Sequence, residues 1–151
     1  MKNLLVLLFV VVSFTACKKD NDVQPQSTTL ADKFVGTYKL SSFRYSSGAT
    51  NVDLSTLPMV DNGQTVASGT VKLIKSTDTK LNMAFVLKTA GNDDVTFTLE
   101  DLEIKQEGGE YGLYTDGVRI ADVGGTIIIF NYSAKNPDTN ESQEMAFIAK
   151  K

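Results

Sequence analysis

Apolar and polar residues alternate with period two along most of the chain beyond residue 31. Leu81, Met83, Phe85 and Leu87 recur at every second position, and so do Val95, Phe97 and Leu99, with Thr96 and Thr98 between them. Val71 and Leu73 flank Lys72 in the same way. Successive side chains of a strand point to opposite faces, so this spacing predicts strands with one buried face. The expected strands lie near 35–45, 69–76, 79–89, 94–99, 101–106, 110–115, 118–122, 126–134 and 143–150. Turn residues separate them: Ser76-Thr77-Asp78, Gly91-Asn92-Asp93, Gly108-Gly109, Asp116-Gly117, Gly124-Gly125 and the run from Asn136 to Asn140. The phase breaks twice. At Glu100-Asp101 two acidic residues adjoin where the buried face changes, which predicts a bulge or tight corner. At Ser41-Ser42 the apolar phase moves from Tyr38 and Leu40 to Phe43 and Tyr45.

Eight or nine short strands joined by hairpin-length turns define an all-β class. The expected architecture is an up-and-down antiparallel eight-stranded barrel, because pairing the first strand with the last removes both exposed edges. The alternative is a β-sandwich, which keeps two separate sheets. One connection, Ser46 to Ala67, is far longer than the rest. Within it Asp53-Leu54-Ser55-Thr56-Leu57 is expected to form a single capped helical turn. Long loops in compact domains often serve as lids. Leu54, Leu57, Met59 and Val60 are therefore expected to fold over one end of the barrel, facing Tyr38, Met83 and Phe97. Thr126 to Phe130 is apolar on both faces and is expected to be covered on both sides, or to touch a neighbour or lid.

The first residues follow a different pattern. Met1-Lys2-Asn3 is a short positive start, Leu4 to Val12 is an unbroken run of nine apolar residues, and Ser13-Phe14-Thr15-Ala16 leads to Cys17. A spanning helix needs about 20 apolar residues, so this run has the length of a signal-peptide core. The junction resembles the lipobox of bacterial lipoproteins, with Ala16 as the small residue before the cysteine and Phe14 where leucine is usual. That resemblance implies a signal peptide over 1–16, lipid attachment at Cys17, a flexible tether over 17–31 and a folded domain over 32–151. It also implies the membrane as a partner through the lipid on Cys17. Lys18, rather than an aspartate, follows the cysteine, which favours an outer-membrane address, facing the periplasm or the cell surface.

Composition narrows the chemistry. The chain has no histidine, one cysteine and no tryptophan, which excludes histidine triads, His-ligated zinc and disulfides within the chain. With 15 basic and 18 acidic residues and no basic stripe, it lacks the electrostatic footprint of a nucleic-acid binder. Glu100, Asp101 and Glu103 are the densest carboxylates outside turns and read as a solvated outer face rather than a glycosidase pair. Asn92-Asp93-Asp94 and Asp138 to Glu141 have oxygen ligands but not the order of a dedicated calcium loop. No cofactor, metal or catalytic group is expected, and the chain reads as a non-enzyme.

Phe34-Val35-Gly36-Thr37-Tyr38-Lys39-Leu40 resembles the opening strand of lipocalin-like proteins, whose pattern is Gly-any-Trp, with Tyr38 in the tryptophan position. The arginine that the family carries near its last strand is missing. The resemblance implies a barrel whose mouth admits a small apolar molecule. The candidate cavity and lid residues are Tyr38, Leu40, Leu54, Leu57, Met59, Met83, Phe85 and Phe97. An eight-stranded barrel is just wide enough either to hold one small ligand or to be filled by its own side chains. The competing expectation is an interaction module that meets a partner protein or glycan.

Overall fold

Lys80–Thr89 shows how the alternation becomes a wall. Leu81, Met83, Phe85 and Leu87 are all buried, and the residues between them are only partly covered. In the computed structural model, which describes residues 28–135 and 140–151, this strand is one of ten. They are β1 (Gly36–Ser47), β2 (Thr50–Leu54), β3 (Met59–Asp61), β4 (Gln64–Lys75), β5 (Lys80–Thr89), β6 (Val95–Glu107), β7 (Glu110–Thr115), β8 (Val118–Val123), β9 (Ile127–Lys135) and β10 (Ser142–Lys150). The leader and Cys17 lie outside the described residues. A one-turn 3-10 helix, Ala31–Lys33, precedes β1, and no α-helix is found among the described residues.

Each strand from β4 to β10 pairs antiparallel with the next, and β1 pairs with both β10 and β4. The result is a closed eight-stranded antiparallel barrel of lipocalin-like architecture. The sandwich alternative is excluded, because a single ladder runs without a break from β1 back to β1.

The long connection forms wall rather than lid. Strand β1 pairs with β4 only over Gly36–Lys39, and beyond that the two diverge. Their freed backbone groups need partners. β2 supplies them to β1 over Phe43–Ser47, and β3 supplies them to β4 over Gln64–Ala67. The expected helical turn over Asp53–Leu57 is therefore absent, since Asp53 and Leu54 are ladder residues opposite Arg44 and Phe43. Leu57 is buried in the seam and its N–H donates to the Ser41 carbonyl at 2.9 Å. Leu54 is half-buried against the core. Met59 and Val60, by contrast, are 41% and 61% exposed, so the expected burial of all four residues fails for these two. The β3 strand is a short edge strand, and all three of its residues are exposed.

Both phase breaks are bulges. Between the Leu81/Leu102 and Met83/Leu99 pairs, Glu100 and Asp101 oppose the single residue Asn82. Asp101 takes a left-handed φ of 52°, its N–H donates to Asn82 Oδ1 at 2.9 Å, and its carboxylate accepts from Ser76 Oγ at 2.7 Å. Asparagine and aspartate tolerate this region better than other side chains. In β1 the extra residue is Ser41, whose hydroxyl donates to the Ile148 carbonyl at 3.1 Å. The Thr126–Phe130 run is not covered on both sides. Ile128 and Phe130 are buried, but Ile129 is 43% exposed on the outer face, where the described residues form no second layer.

The helical turn before β1 closes one end. Ala31 and Phe34 are buried, Ala31 N–H donates to the Asp78 carbonyl at 3.0 Å, and the Phe34 ring meets Tyr111 edge-on at 5.1 Å. Leu30 and Ala31, within the stretch read as tether, thus pack on the domain. Thr29 and Asp32 exchange hydrogen bonds across the turn, and Lys75 ties Asp32 to β4 at 3.2 Å. These bonds, with Thr29 the largest contributor, hold the Asp32 carboxyl below the ordinary carboxylate range. Tyr38 seals the interior beneath: its hydroxyl donates to the Phe34 carbonyl at 2.7 Å, and burial pushes its phenol upward.

Gly69 sets how closely β1 and β4 approach. A methyl group there would strike the Leu40 side chain and stand 2.7 Å from the Val86 carbonyl oxygen. Leu40 is buried and the carbonyl belongs to the neighbouring strand, so neither can give way cheaply. Gly69→Ala is expected to destabilise by about 1–3 kcal/mol, the usual range for overpacking. Urea unfolding of the two proteins checks this, and an unchanged midpoint would contradict it.

Candidate functional site

Inside the wall the core is aromatic at mid-height. Phe85 stacks on Phe97 with ring centroids 4.6 Å apart, and it lies 5.5 Å from Phe43 and 5.3 Å from Phe147. Phe147 stacks in turn on Phe130 at 4.5 Å. These rings fill the barrel between the Tyr38 end and the opposite end. They come together because each lies at an inward-facing position of β1, β5, β6, β9 or β10.

Above this plug the barrel opens. The end bearing the 48–49, 90–94 and 116–117 turns has no counterpart of the helical turn among the described residues. It holds a cavity of about 390 Å³ lined by Tyr45, Phe97, Leu99, Thr115, Asp116, Ile120, Phe130, Tyr132, Gln143, Glu144 and Met145. Phe97 and Phe130 are its floor, as the members of the two stacked pairs that border the cavity. Leu99, Ile120 and Met145 add aliphatic and thioether wall. The polar groups, Thr115, Asp116, Gln143 and Glu144, come from a turn and strand ends at the rim. Apolar walls with a few polar groups at the entrance, in this volume range, are the form of small-molecule sites.

The candidate residues divide between three places. Phe97 lines the cavity. Tyr38, Leu40, Met83 and Phe85 are buried in the core, with Phe85 directly under the floor. Leu54, Leu57 and Met59 lie in or beside the β1–β4 seam and do not line the mouth. Tyr45, Leu99, Ile120, Phe130, Tyr132 and Met145 were not foreseen as lining. Their signal was parity: Tyr132 and Met145 continue the inward series of Phe130 and Phe147 past the plug toward the open end. Other depressions lie on the outer wall. One of them, about 450 Å³, is shallow and borders Glu110, Arg119 and Asp122.

The carboxylates weighed for hydrolysis are all exposed, with Asp101 committed to the β6 bulge and Glu103 3.1 Å from Lys105. No family model, no curated protein and no solved structure matches the chain.

Proposed function

We propose that this protein is a lipid-anchored, non-catalytic protein of the cell envelope, resembling the lipocalin-like lipoproteins, whose barrel holds a small apolar ligand in its open mouth. The observation that carries the reading is the 390 Å³ cavity over the Phe97–Phe130 floor, apolar below and polar only at the rim. The closed end strengthens it. One end is sealed by a dedicated turn and the other is left open, whereas a barrel built only as a scaffold gains nothing from leaving Phe97 and Leu99 half-buried and Tyr132 exposed. The proposed address is the outer membrane, with Cys17 as the attachment point and the folded domain outside the bilayer.

Filling the mouth tests this. N-phenyl-1-naphthylamine, a neutral apolar fluorophore, is expected to bind the wild type with enhanced emission. Leu99→Trp adds bulk to a half-buried cavity wall and is expected to weaken that binding by about tenfold or more, since the ring takes the ligand's place. Thr98→Trp, on the exposed face of the same strand, is expected to leave it unchanged. Equal binding by all three proteins, or none by the wild type, would sink the reading.

A further inference from the structure

The rim of the mouth carries charge of one sign. Asp116 and Glu144 border the cavity, and no lysine or arginine lines it. Neither carboxylate has an ion-pair partner among the described residues. Four of the lining residues, Tyr45, Phe97, Phe130 and Tyr132, are aromatic.

The asymmetry extends to the whole barrel. Turns and strand ends on the mouth side bear Asp61, Asp93, Asp94, Asp116, Glu141 and Glu144. Among the described residues, Lys88, already 3.3 Å from Asp94, Lys135 and Arg119, which pairs with Glu107 and Asp122 on the outer wall, stand against them. The closed end is balanced: Lys33, Lys75, Lys80, Lys150 and Lys151 stand beside Asp32, Asp78, Glu107, Glu110 and Asp122. The mouth is therefore the more acidic end, and its field draws cations in and turns anions away.

We propose that the mouth cavity selects an amphiphile with an apolar body and a cationic head, an inference that rests on the mouth being a ligand site. An apolar chain fits over the Phe97–Phe130 floor. A cationic head at the rim meets two carboxylates and, from the wall, the electron-rich faces of aromatic rings. A carboxylate head in the same position meets like charge and no basic side chain, and its lost hydration goes uncompensated. Selectivity thus comes as much from what the rim repels as from what it attracts.

Competition against N-phenyl-1-naphthylamine distinguishes the outcomes. Decyltrimethylammonium, decanol and decanoate share one chain and differ in head charge. The cation is expected to displace the probe at a concentration about tenfold lower than decanoate, with decanol between them. In the Asp116→Asn/Glu144→Gln protein, the gap between cation and anion is expected to close to about twofold. Asparagine tolerates the left-handed φ of 49° at position 116, and position 144 is exposed, so the variant keeps its fold. Raising the salt concentration is expected to narrow the gap in the wild type as well. Probe binding with equal competition by decanoate and decyltrimethylammonium, or a gap that survives in the double variant, overturns the charge selection and leaves the ligand site standing. Failure of the probe to bind overturns both.

Discussion

Phe85→Ala is expected to destabilise the barrel by about 3–5 kcal/mol, the largest loss from any single truncation in this core. The ring is 1% exposed and stands at the centre of the plug, in contact with Phe43, Phe97 and Phe147. Its removal forfeits the transfer free energy of a whole phenyl group. It also leaves a void that three neighbouring rings, each fixed on a different strand of a closed sheet, cannot collapse to fill. Domains of this size are stable by only about 5–15 kcal/mol, so the loss is a large share of the total. The melting temperature should fall by roughly 10–20 °C. Thr96→Ala and Thr98→Ala, on the exposed face of β6, should each stay within about 0.5 kcal/mol of the wild type. Thermal and urea unfolding of the three variants checks the order. If the threonine variants cost as much as Phe85→Ala, the strand register is wrong by one residue, which would turn every side chain to the other face.

The barrel was legible because closure leaves a strict record along each strand. Where one face is buried and the other is wet, parity is enforced residue by residue. β5 and the first half of β6 could therefore be read directly, and the bulges at Ser41 and Asp101 appeared as breaks of phase. The connection from Ser46 to Ala67 left no such record. β2 and β3 are short edge strands whose role is to satisfy the backbone of diverging neighbours, a hydrogen-bonding need that hydrophobic pattern does not encode. Its apolar residues therefore suggested a lid, and only Leu57 behaves as a fully buried group. Ile129 misled in the same way, since an apolar side chain on an outer wall is tolerated and requires no partner.

The candidate site was half legible. Parity correctly put Tyr38, Met83, Phe85 and Phe97 inside, but it carries no information on which end of a barrel is sealed. That depends on Ala31 and Phe34 capping the Tyr38 end, and Ala31 falls in the stretch read as a tether. Once that end is closed, the interior residues farthest from it become the mouth, and Phe97 is the one candidate near enough to line it. Tyr38 shows a further pairing that pattern could not supply. Lys151, the last residue of the chain, holds its ammonium 5.0 Å from the Tyr38 ring centroid and donates to the Val35 carbonyl at 3.2 Å. A cation beyond the last strand thus stands beside Gly36-x-Tyr38.

Cys17→Ser is expected to move the protein from the membrane fraction to the soluble fraction without altering the mouth. Serine keeps the size and polarity of the side chain and removes the thiol that lipid attachment requires. Each buried methylene contributes about 0.8 kcal/mol, so the two or three acyl chains implied by the lipobox hold a protein durably, and their loss is close to all-or-none. The wild type should show the corresponding acyl mass on the peptide that contains Cys17. The proposed anchor and the proposed ligand site belong to opposite ends of the domain. Thr29 is fastened to Asp32 and Lys75 beside the Ala31–Lys33 turn, so the chain enters the barrel at its sealed end and the mouth lies at the other. N-phenyl-1-naphthylamine should therefore bind the released Cys17→Ser protein as tightly as the detergent-extracted wild type. A wild type without acyl mass, together with a variant that stays in the membrane fraction, would refute the anchor. Loss of probe binding in the released variant would instead show that lipid and mouth are coupled, contrary to the placement of the chain's entry at the sealed end.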